Sequence, residues 1–151
     1  MLFVLIVIMT RILMIDDDND LLAVTKVLLQ KKGFQIEACS DWEKAKEKIR
    51  TFKPHLVLLD IFLKKSDGLQ ICNILKASPF TRHIPILILS GYPRLAESAI
   101  YEFGADDFIS KPFEMNVLEA RVKNLISSRS QKIKRFQLNH DVSITNMEYN
   151  S

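Results

Sequence analysis

Residues able to do acid, metal and nucleophile chemistry lie directly after short apolar runs of this 151-residue sequence. They are Asp16, Asp17 and Asp18 after RILMI, Asp60 after HLVLL, Ser90 after IPILIL, and Lys111 shortly after DDFI. Crowded carboxylates repel one another unless a cation neutralises them, and Mg²⁺ accepts carboxylate oxygens together with phosphate oxygens. A carboxylate beside a metal and a lysine can attack a phosphoryl group. The pattern therefore predicts a Mg²⁺-dependent phosphoryl site.

These residues share a site only if the apolar runs are neighbouring strands of one sheet. Several runs are nearly continuous aliphatics, which is typical of parallel strands buried on both faces. Amphipathic segments alternate with the runs, so we expect an α/β fold with a doubly wound, five-stranded parallel sheet and five helices. The carboxyl ends of such strands meet at one edge, where ligands bind. The predicted strands are residues 11–15, 34–38, 55–59, 84–89 and 106–109.

The helical segments have recognisable boundaries. The first, 21–32, has an apolar face of Leu21, Val24 and Leu28 and ends at Gly33. Ser40 and Glu43 have the spacing of a capping box at the start of the second helix. The third and fourth are predicted at 67–77 and 93–103. Pro112 is predicted to open the fifth, with an apolar stripe of Val117, Leu118, Val122 and Leu125.

Aspartates before a helix have a simpler explanation, because they favour its N-terminal dipole and cap its first N–H groups. Asp18 and Asn19 are predicted to be such cap residues. That explanation does not account for Asp60, Ser90 and Lys111, each near the end of its own predicted strand. The joint pattern therefore favours a functional site.

Composition narrows the class of protein. Hydrophobic residues make up 48% and charged residues 26%, as in ordinary globular domains. A net charge of +3 is too small to indicate nucleic-acid binding without a clustered basic face, so no direct binding of nucleic acid is expected. Cys39 and Cys72 have no metal-binding spacing and are predicted to be buried free thiols in a reducing compartment.

The two ends of the sequence differ from its middle. Residues 1–9 are wholly apolar but lack the charged start and cleavage site of a signal peptide, and the run is shorter than the roughly 20 residues of a membrane span. We expect either a start codon assigned upstream of Met9 or a short apolar arm, and no membrane association. Residues 10–128 form the predicted domain. Residues 129–151 form a polar, mildly basic tail that we expect to fray.

Four stretches resemble the signature segments of bacterial response-regulator receiver domains. They are ILMIDDDNDLL, HLVLLDIFLKKSDGLQIC, ILILSG and GADDFISKPF, and the resemblance covers about residues 10–128. It implies a flavodoxin-like fold with strand order 2-1-3-4-5. It also implies a chemotaxis-type receiver that catalyses only its own phosphorylation and slow dephosphorylation and is otherwise not an enzyme.

The resemblance assigns the metal and the phosphoryl group to particular residues. Asp60 is implied to be the phosphoacceptor and a Mg²⁺ ligand. Asp17 would bind Mg²⁺ directly, Asp16 would hold it through water, and the backbone carbonyl of Phe62 would complete the metal shell. Lys111 would pair with the phosphoryl group, aimed by a cis peptide bond to Pro112.

Further positions concern switching and the lifetime of the phosphorylated state. Ser90 would bind a phosphoryl oxygen, with Gly91 leaving room beside it, and Phe108 would be the aromatic switch residue, which also packs in the core. Phe62 and Tyr92 are predicted to shield the acyl phosphate from water. The family usually has proline where this sequence has Lys64; with Lys65 it forms either a solvated loop or a docking contact, and the stiffness of that loop is open.

Several functions are compatible with such a chain. The first is a cytoplasmic, stand-alone receiver, monomeric or weakly dimeric. It would be phosphorylated by a histidine kinase or phosphotransfer protein and would signal to a protein target through its fourth helix, fifth strand and fifth helix. The alternative is a truncated DNA-binding regulator that has lost its output domain. A receiver that works without phosphorylation is disfavoured by the intact acids, hydroxyl and lysine. An α/β hydrolase or phosphatase lacks its motifs here, and His55, His83 and His140 have no kinase-type setting.

Overall fold

The computed structural model describes the backbone of residues 9–148 and the side chains of residues 9–135. The apolar run 1–9 therefore lies, except for Met9, outside the described residues. The elements in chain order are β1 (Arg11–Ile15), α1 (Asn19–Lys31), β2 (Gln35–Cys39), α2 (Trp42–Phe52), β3 (Leu56–Asp60), β4 (Phe62–Leu63), β5 (Ser66–Asp67), α3 (Gly68–Ala77), β6 (Ile86–Ser90), α4 (Pro93–Tyr101), β7 (Asp107–Ser110) and α5 (Met115–Glu148).

Five parallel strands form one sheet in the order β2-β1-β3-β6-β7. This confirms the predicted order 2-1-3-4-5, because β6 and β7 are the fourth and fifth strands of that sheet. The short strands β4 and β5 form a separate antiparallel hairpin between β3 and α3. The hairpin was not predicted, since two-residue strands leave no periodic pattern in a sequence.

The three central strands are buried on both faces, as their aliphatic runs predicted. Every residue of β3 and β6 is buried, and four of the five residues of β1 are. Successive side chains point to opposite faces. Leu13 and Ile15 join the core layer that includes residues of α2, α3 and α4, whereas Ile12 and Met14 join the layer under α1 and α5. These layers fix the strand ends on which the site is built.

Two helix predictions need correction. The buried face of α1 consists of Leu22, Thr25 and Leu29, one position away from the predicted face, and Val24 is 56% exposed. The leucine pairs at 21–22 and 28–29 place leucines with helical spacing on both the predicted and the observed face. Periodicity alone therefore could not identify the buried face. The cap of α2 is Asp41, whose carboxylate accepts from the Lys44 N–H at 2.9 Å, and not Ser40.

Helix α5 begins later and ends later than predicted. It starts at Met115, because the Glu114 carbonyl accepts the first helical hydrogen bonds and Pro112 still belongs to the loop. Leu118 and Val122 are fully buried, but Val117 is 42% exposed. The helix continues to Glu148 instead of fraying after 128. Residues 129–148 contain no proline or glycine, so nothing in their composition ends the helix, and the fading apolar pattern coincides with exposed side chains at 130–135. Within the described residues, no helix is both long and apolar enough to cross a membrane.

At the edge where the strands begin, the neutral form of His55 accepts a backbone hydrogen bond. The Nδ1 atom of His55 accepts the backbone N–H of Arg11 at 2.9 Å. Burial, with the charges of Arg11 and Arg129, lowers the pKa of His55 below its usual value. The neutral imidazole therefore stabilises the fold above the unfolded-state pKa of about 6.5, and this contribution is lost as the pH falls below it.

We expect His55→Asn, which keeps an acceptor but cannot be protonated, to weaken the pH dependence of stability. Between pH 7.5 and 5.5 the free energy of unfolding should fall less in the variant than in the native chain. The difference should be below about 1 kcal/mol because solvent screens this half-buried group. Urea unfolding of the variant and of the native chain at both pH values measures it. Equal slopes for His55→Asn and the native chain would contradict this role.

Candidate functional site

The carboxyl edge of the sheet brings the predicted site residues together. Asp16 directly follows β1, Asp60 ends β3, Ser90 ends β6 and Lys111 directly follows β7. Because β1, β3, β6 and β7 are consecutive neighbours in the sheet, these four residues lie along one edge. Residue by residue, the strand pairing places Ser90 beside Ser110 and Asp60 beside Leu89.

Three carboxylates form a compact cluster at this edge. Oxygens of Asp16, Asp17 and Asp60 all lie within 4.8 Å of one another. Asp16 is 1% exposed and Asp60 is 7% exposed, so two of the three charges are removed from water. Burial, followed by repulsion from Asp16, raises the pKa of Asp60 above its usual value. The cluster therefore concentrates negative charge in a place where water cannot fully compensate for it.

Lys111 is the cation that the chain itself supplies. Its Nζ lies 2.6 Å from Oδ2 of Asp16 and 3.4 Å from Oδ2 of Asp60. Burial alone would lower the pKa of Lys111, but the hydrogen bond and charge of Asp16, together with Asp60, outweigh burial and raise it. The bond between Lys111 and Pro112 is cis, as predicted. Lysine thus remains charged beside the acid that the resemblance names as acceptor.

Asp17 is held by the hairpin through an unpredicted contact. The backbone N–H of Lys64 donates to Oδ2 of Asp17 at 2.9 Å. The proline usual at this position in similar sequences has no N–H and could not make this bond. Lys64 thus acts at the site through its backbone N–H, whereas the sequence analysis considered only its side-chain charge. The β4–β5 pairing and this bond give the loop defined backbone contacts in the absence of the proline.

The other acids of the run have separate partners. Asp16 accepts the backbone N–H of Asp18 at 2.9 Å through Oδ1. Asp18 caps α1 as predicted, accepting from the N–H groups of Asp20 and Leu21, whereas Asn19 is the first residue of the helix. The capping explanation is therefore correct for Asp18, while Asp16 and Asp17 belong to the cluster.

An aromatic pair lies beside the hydroxyl. The rings of Phe62 and Tyr92 meet edge to face with centroids 4.8 Å apart, and both remain about half exposed. The Phe62 N–H donates to Oδ1 of Asp60 at 3.3 Å. Buried Ser90 accepts the Tyr92 N–H at 3.0 Å through its Oγ. Phe108, half-buried, packs against the core layer under α4. The two aromatic residues of the pair thus donate their backbone N–H groups to the candidate acceptor and to the hydroxyl.

Sequence reasoning missed the glycine behind the acceptor. A Cβ on Gly68 would lie 2.2 Å from the carbonyl oxygen of Asp60 and 2.6 Å from the Cα of Ile61. The Gly68 N–H donates to the Ile61 carbonyl at 2.8 Å. At Gly91, by contrast, a Cβ would meet no atom within 4 Å, so the room assigned to that glycine is not needed in this conformation. An Asp-Gly pair before a helix gives no signal of a close backbone approach, because many turns contain one.

The donor set suits a hard divalent cation. Three carboxylates and neighbouring backbone carbonyls are oxygen ligands of the type that Mg²⁺ prefers, and a single ammonium does not balance the three acids. No histidine or thiol belongs to the cluster, which disfavours zinc chemistry among the described residues. The arrangement is a buried carboxylate flanked by a potential metal position and by a lysine.

Comparison with known proteins agrees with this fold and site. The family model of the response regulator receiver domain matches residues 12–123, and the chain belongs to that family, the receivers of two-component signal transduction. The alkaline phosphatase synthesis transcriptional regulatory protein PhoP of Bacillus subtilis is 33% identical over 117 residues, which are 77% of this chain and 48% of PhoP. The DNA-binding response regulator MtrA of Mycolicibacterium paratuberculosis is 35% identical over 114 residues, 75% of this chain and 49% of MtrA.

A solved structure of a receiver domain has the same fold. The receiver domain of a signal transduction histidine kinase from Syntrophus aciditrophicus superposes with a TM-score of 0.71 and 32% identity, covering 79% of this chain and 91% of that one. The chain spans about half the length of the curated relatives it matches. Membership of the family is therefore shown for the receiver domain, and the other half of those relatives has no counterpart in the match.

Proposed function

We propose that Asp60 accepts a phosphoryl group from a histidine kinase or a histidine phosphotransfer protein. The observation that supports this most is the buried Asp60 carboxylate, which shares Lys111 with Asp16 at the carboxyl edge of the sheet. An Asp60 oxygen attacks phosphorus, the bond from phosphorus to the donor's imidazole nitrogen breaks, and the imidazole keeps the electron pair and takes a proton. The product is an aspartyl phosphate.

The residues suited to hold Mg²⁺ are Asp16, Asp17, Asp60 and the backbone carbonyl of Phe62. A bound Mg²⁺ supplies positive charge for the phosphoryl oxygens and offsets repulsion among the carboxylates. Lys111 provides the second positive charge, already 3.4 Å from Asp60. The Lys64 N–H keeps Asp17 oriented toward the cluster.

The signal is proposed to leave through Ser90 and Phe108. The Ser90 hydroxyl accepts the Tyr92 N–H and makes only a long contact of 3.5 Å to the Tyr92 carbonyl, so its O–H is available to donate to a phosphoryl oxygen on Asp60. Phe108 would turn inward as Ser90 moves. The surface that changes comprises α4, β7 and α5, where an ion pair between Arg121 and Asp107, at 2.8 Å, joins two of the elements. A downstream protein would bind this surface.

One hypothesis for the protein as a whole is a receiver that acts by itself, as a monomer or a weak dimer, and modifies only itself. The names of PhoP and MtrA support the alternative, a regulator whose output domain binds DNA. The proposed chemistry is the same for both architectures. The genomic sequence downstream of residue 151 would distinguish them. The buried free thiols of Cys39 and Cys72 support a cytoplasmic setting.

Incubation with acetyl phosphate and Mg²⁺ tests the proposed acceptor. The intact mass should rise by one phosphoryl group, about 80 Da, and fragmentation after borohydride reduction should place the change at Asp60. Chelation of Mg²⁺ should prevent the gain, and a phosphotransfer profile against the host's histidine kinases should then identify the donor. No mass gain, or a gain unaffected by chelation or located at another residue, overturns the proposal.

The Phe62–Tyr92 pair should slow hydrolysis of the aspartyl phosphate by excluding water. In the double variant Phe62→Asn, Tyr92→Glu, we expect decay to accelerate about tenfold, which corresponds to roughly 1.4 kcal/mol of barrier. Loss of the radiolabelled phosphoryl group over time measures the rate. Phe80→Asn, which removes an exposed ring elsewhere, is the matched control. Unchanged decay in the double variant contradicts shielding.

A further inference from the structure

A second charged region lies at the opposite edge of the sheet, where the strands begin. A cavity of about 610 Å³ is formed there by side chains from β1, α2, the loops before β3 and β6, and α5. Five-residue strands separate it from the carboxylate cluster by about 16 Å. Its lining contains basic side chains and histidines but no carboxylate.

Three cations of this cavity have no counter-charge within the part of the chain whose side chains the structure describes. Among the ion pairs of residues 9–135, none involves Arg11, Lys53 or Arg129. The other two basic residues of the lining, Lys46 and Arg50, pair with glutamates of their own helix. Segments distant in sequence thus bring uncompensated positive charge to one place.

Arg129 is the most informative of these residues. Its Nε is buried and has no hydrogen-bond partner among the described residues, and its Nη1 only approaches the His55 carbonyl at 3.4 Å. A guanidinium has five donors arranged to match anionic oxygens. Leaving a buried charged donor unpaired costs free energy, so this group is suited to an anionic partner.

Besides burial, the positive charge of this cavity also lowers the pKa values of its two histidines, His55 and His83. After burial, the charges that lower the pKa of His55 come from Arg11 and Arg129, and those that lower the pKa of His83 come from Arg129 and Lys76. A larger cavity beside this one, about 780 Å³, also contains Arg129 but is lined by Asp106 and Asp107 as well. The two carboxylates of that lining would repel an anion, and Asp106 already neutralises its Lys76, so the smaller cavity is the better anion site.

We propose that this cavity, with Arg11, Lys53 and Arg129 as its cationic groups, binds a small ligand that contains linked phosphoryl groups. The volume exceeds that of a single phosphate, and several separated cations fit a multiply charged anion better than a single charge. Phe80, 84% exposed at the rim, offers a ring on which a nucleobase could stack. Inorganic polyphosphate and nucleoside polyphosphates share the required chemistry.

Calorimetric titration of the full chain with tripolyphosphate tests this site, in EDTA so that Mg²⁺ does not recruit the anion to the carboxylate cluster. We expect saturable binding that weakens about tenfold in Lys53→Gln and at least as much in Arg129→Gln, the effect of losing one charge-assisted hydrogen bond. Lys53 is exposed, so its variant decides the question if Arg129→Gln folds poorly. The matched control is Arg94→Gln in α4, which begins at the opposite edge.

A parallel titration with ATP separates the two sources. Tighter binding of ATP that is lost in Phe80→Ala identifies a nucleotide, and equal binding of both ligands identifies recognition of the phosphate chain; either result supports the site. Absence of saturable binding, or an equal loss of affinity in Arg94→Gln and Lys53→Gln, overturns the proposal because the attraction would then be to net charge.

Discussion

Asp60→Asn should abolish covalent phosphorylation while preserving the fold. The amide lacks the anionic oxygen that attacks phosphorus, so the rate of phosphoryl uptake from acetyl phosphate or a kinase should fall by more than about a thousandfold. The free energy of unfolding should stay equal or rise, because burial and Asp16 oppose a charge at position 60. Intact-mass measurement and urea unfolding give the two quantities independently.

Asp18→Asn is the matched control for this experiment. Asp18 belongs to the same acidic run, but among the described residues its carboxylate accepts only from the N–H groups of Asp20 and Leu21, and asparagine caps a helix equally well. The control should be phosphorylated at the native rate. A phosphorylated Asp60→Asn variant would place the acceptor at another residue, and a destabilised one would show that the buried charge supports the fold.

The sequence predicted the sheet and the convergence of charged groups for one physical reason. Short aliphatic runs that alternate with amphipathic segments are typical of strands covered on both faces, and parallel strands bring their carboxyl ends to one edge. Asp16, Asp60 and Lys111 meet for that reason alone. Their predicted metal and acceptor roles depend in addition on the resemblance, and the phosphorylation experiments described above are needed to test those roles.

What the sequence did not predict depends on contacts between backbones and between layers. The face of α1 was displaced by one residue because Thr25, a polar residue, is buried in place of Val24. The Lys64 N–H and the Gly68 backbone position the site without any distinctive side chain. Patterns of residue type indicate which side chains are apolar or charged, but they do not indicate where two backbone segments approach one another.

Gly68→Ala should therefore have the largest effect of any single methyl group added near the site. The new Cβ would overlap the Asp60 carbonyl oxygen at 2.2 Å and Ile61 backbone atoms at 2.6 and 2.8 Å. Backbone atoms cannot turn away as a flexible side chain can, so the end of β3 or the start of α3 must shift. We expect a loss of more than about 3 kcal/mol in the free energy of unfolding, at the upper end of overpacking effects.

The same shift should reach the chemistry, since the displaced carbonyl belongs to the proposed acceptor. Phosphoryl uptake should fall even under conditions where the variant is fully folded. Gly91→Ala, which also adds one methyl group beside a site residue, should change stability by no more than about 0.5 kcal/mol, because its Cβ would enter open space. If urea unfolding gave similar stabilities for the two variants, the close approach of α3 to the end of β3 would not be a constraint in solution. The site would then owe its geometry to the strand ends alone.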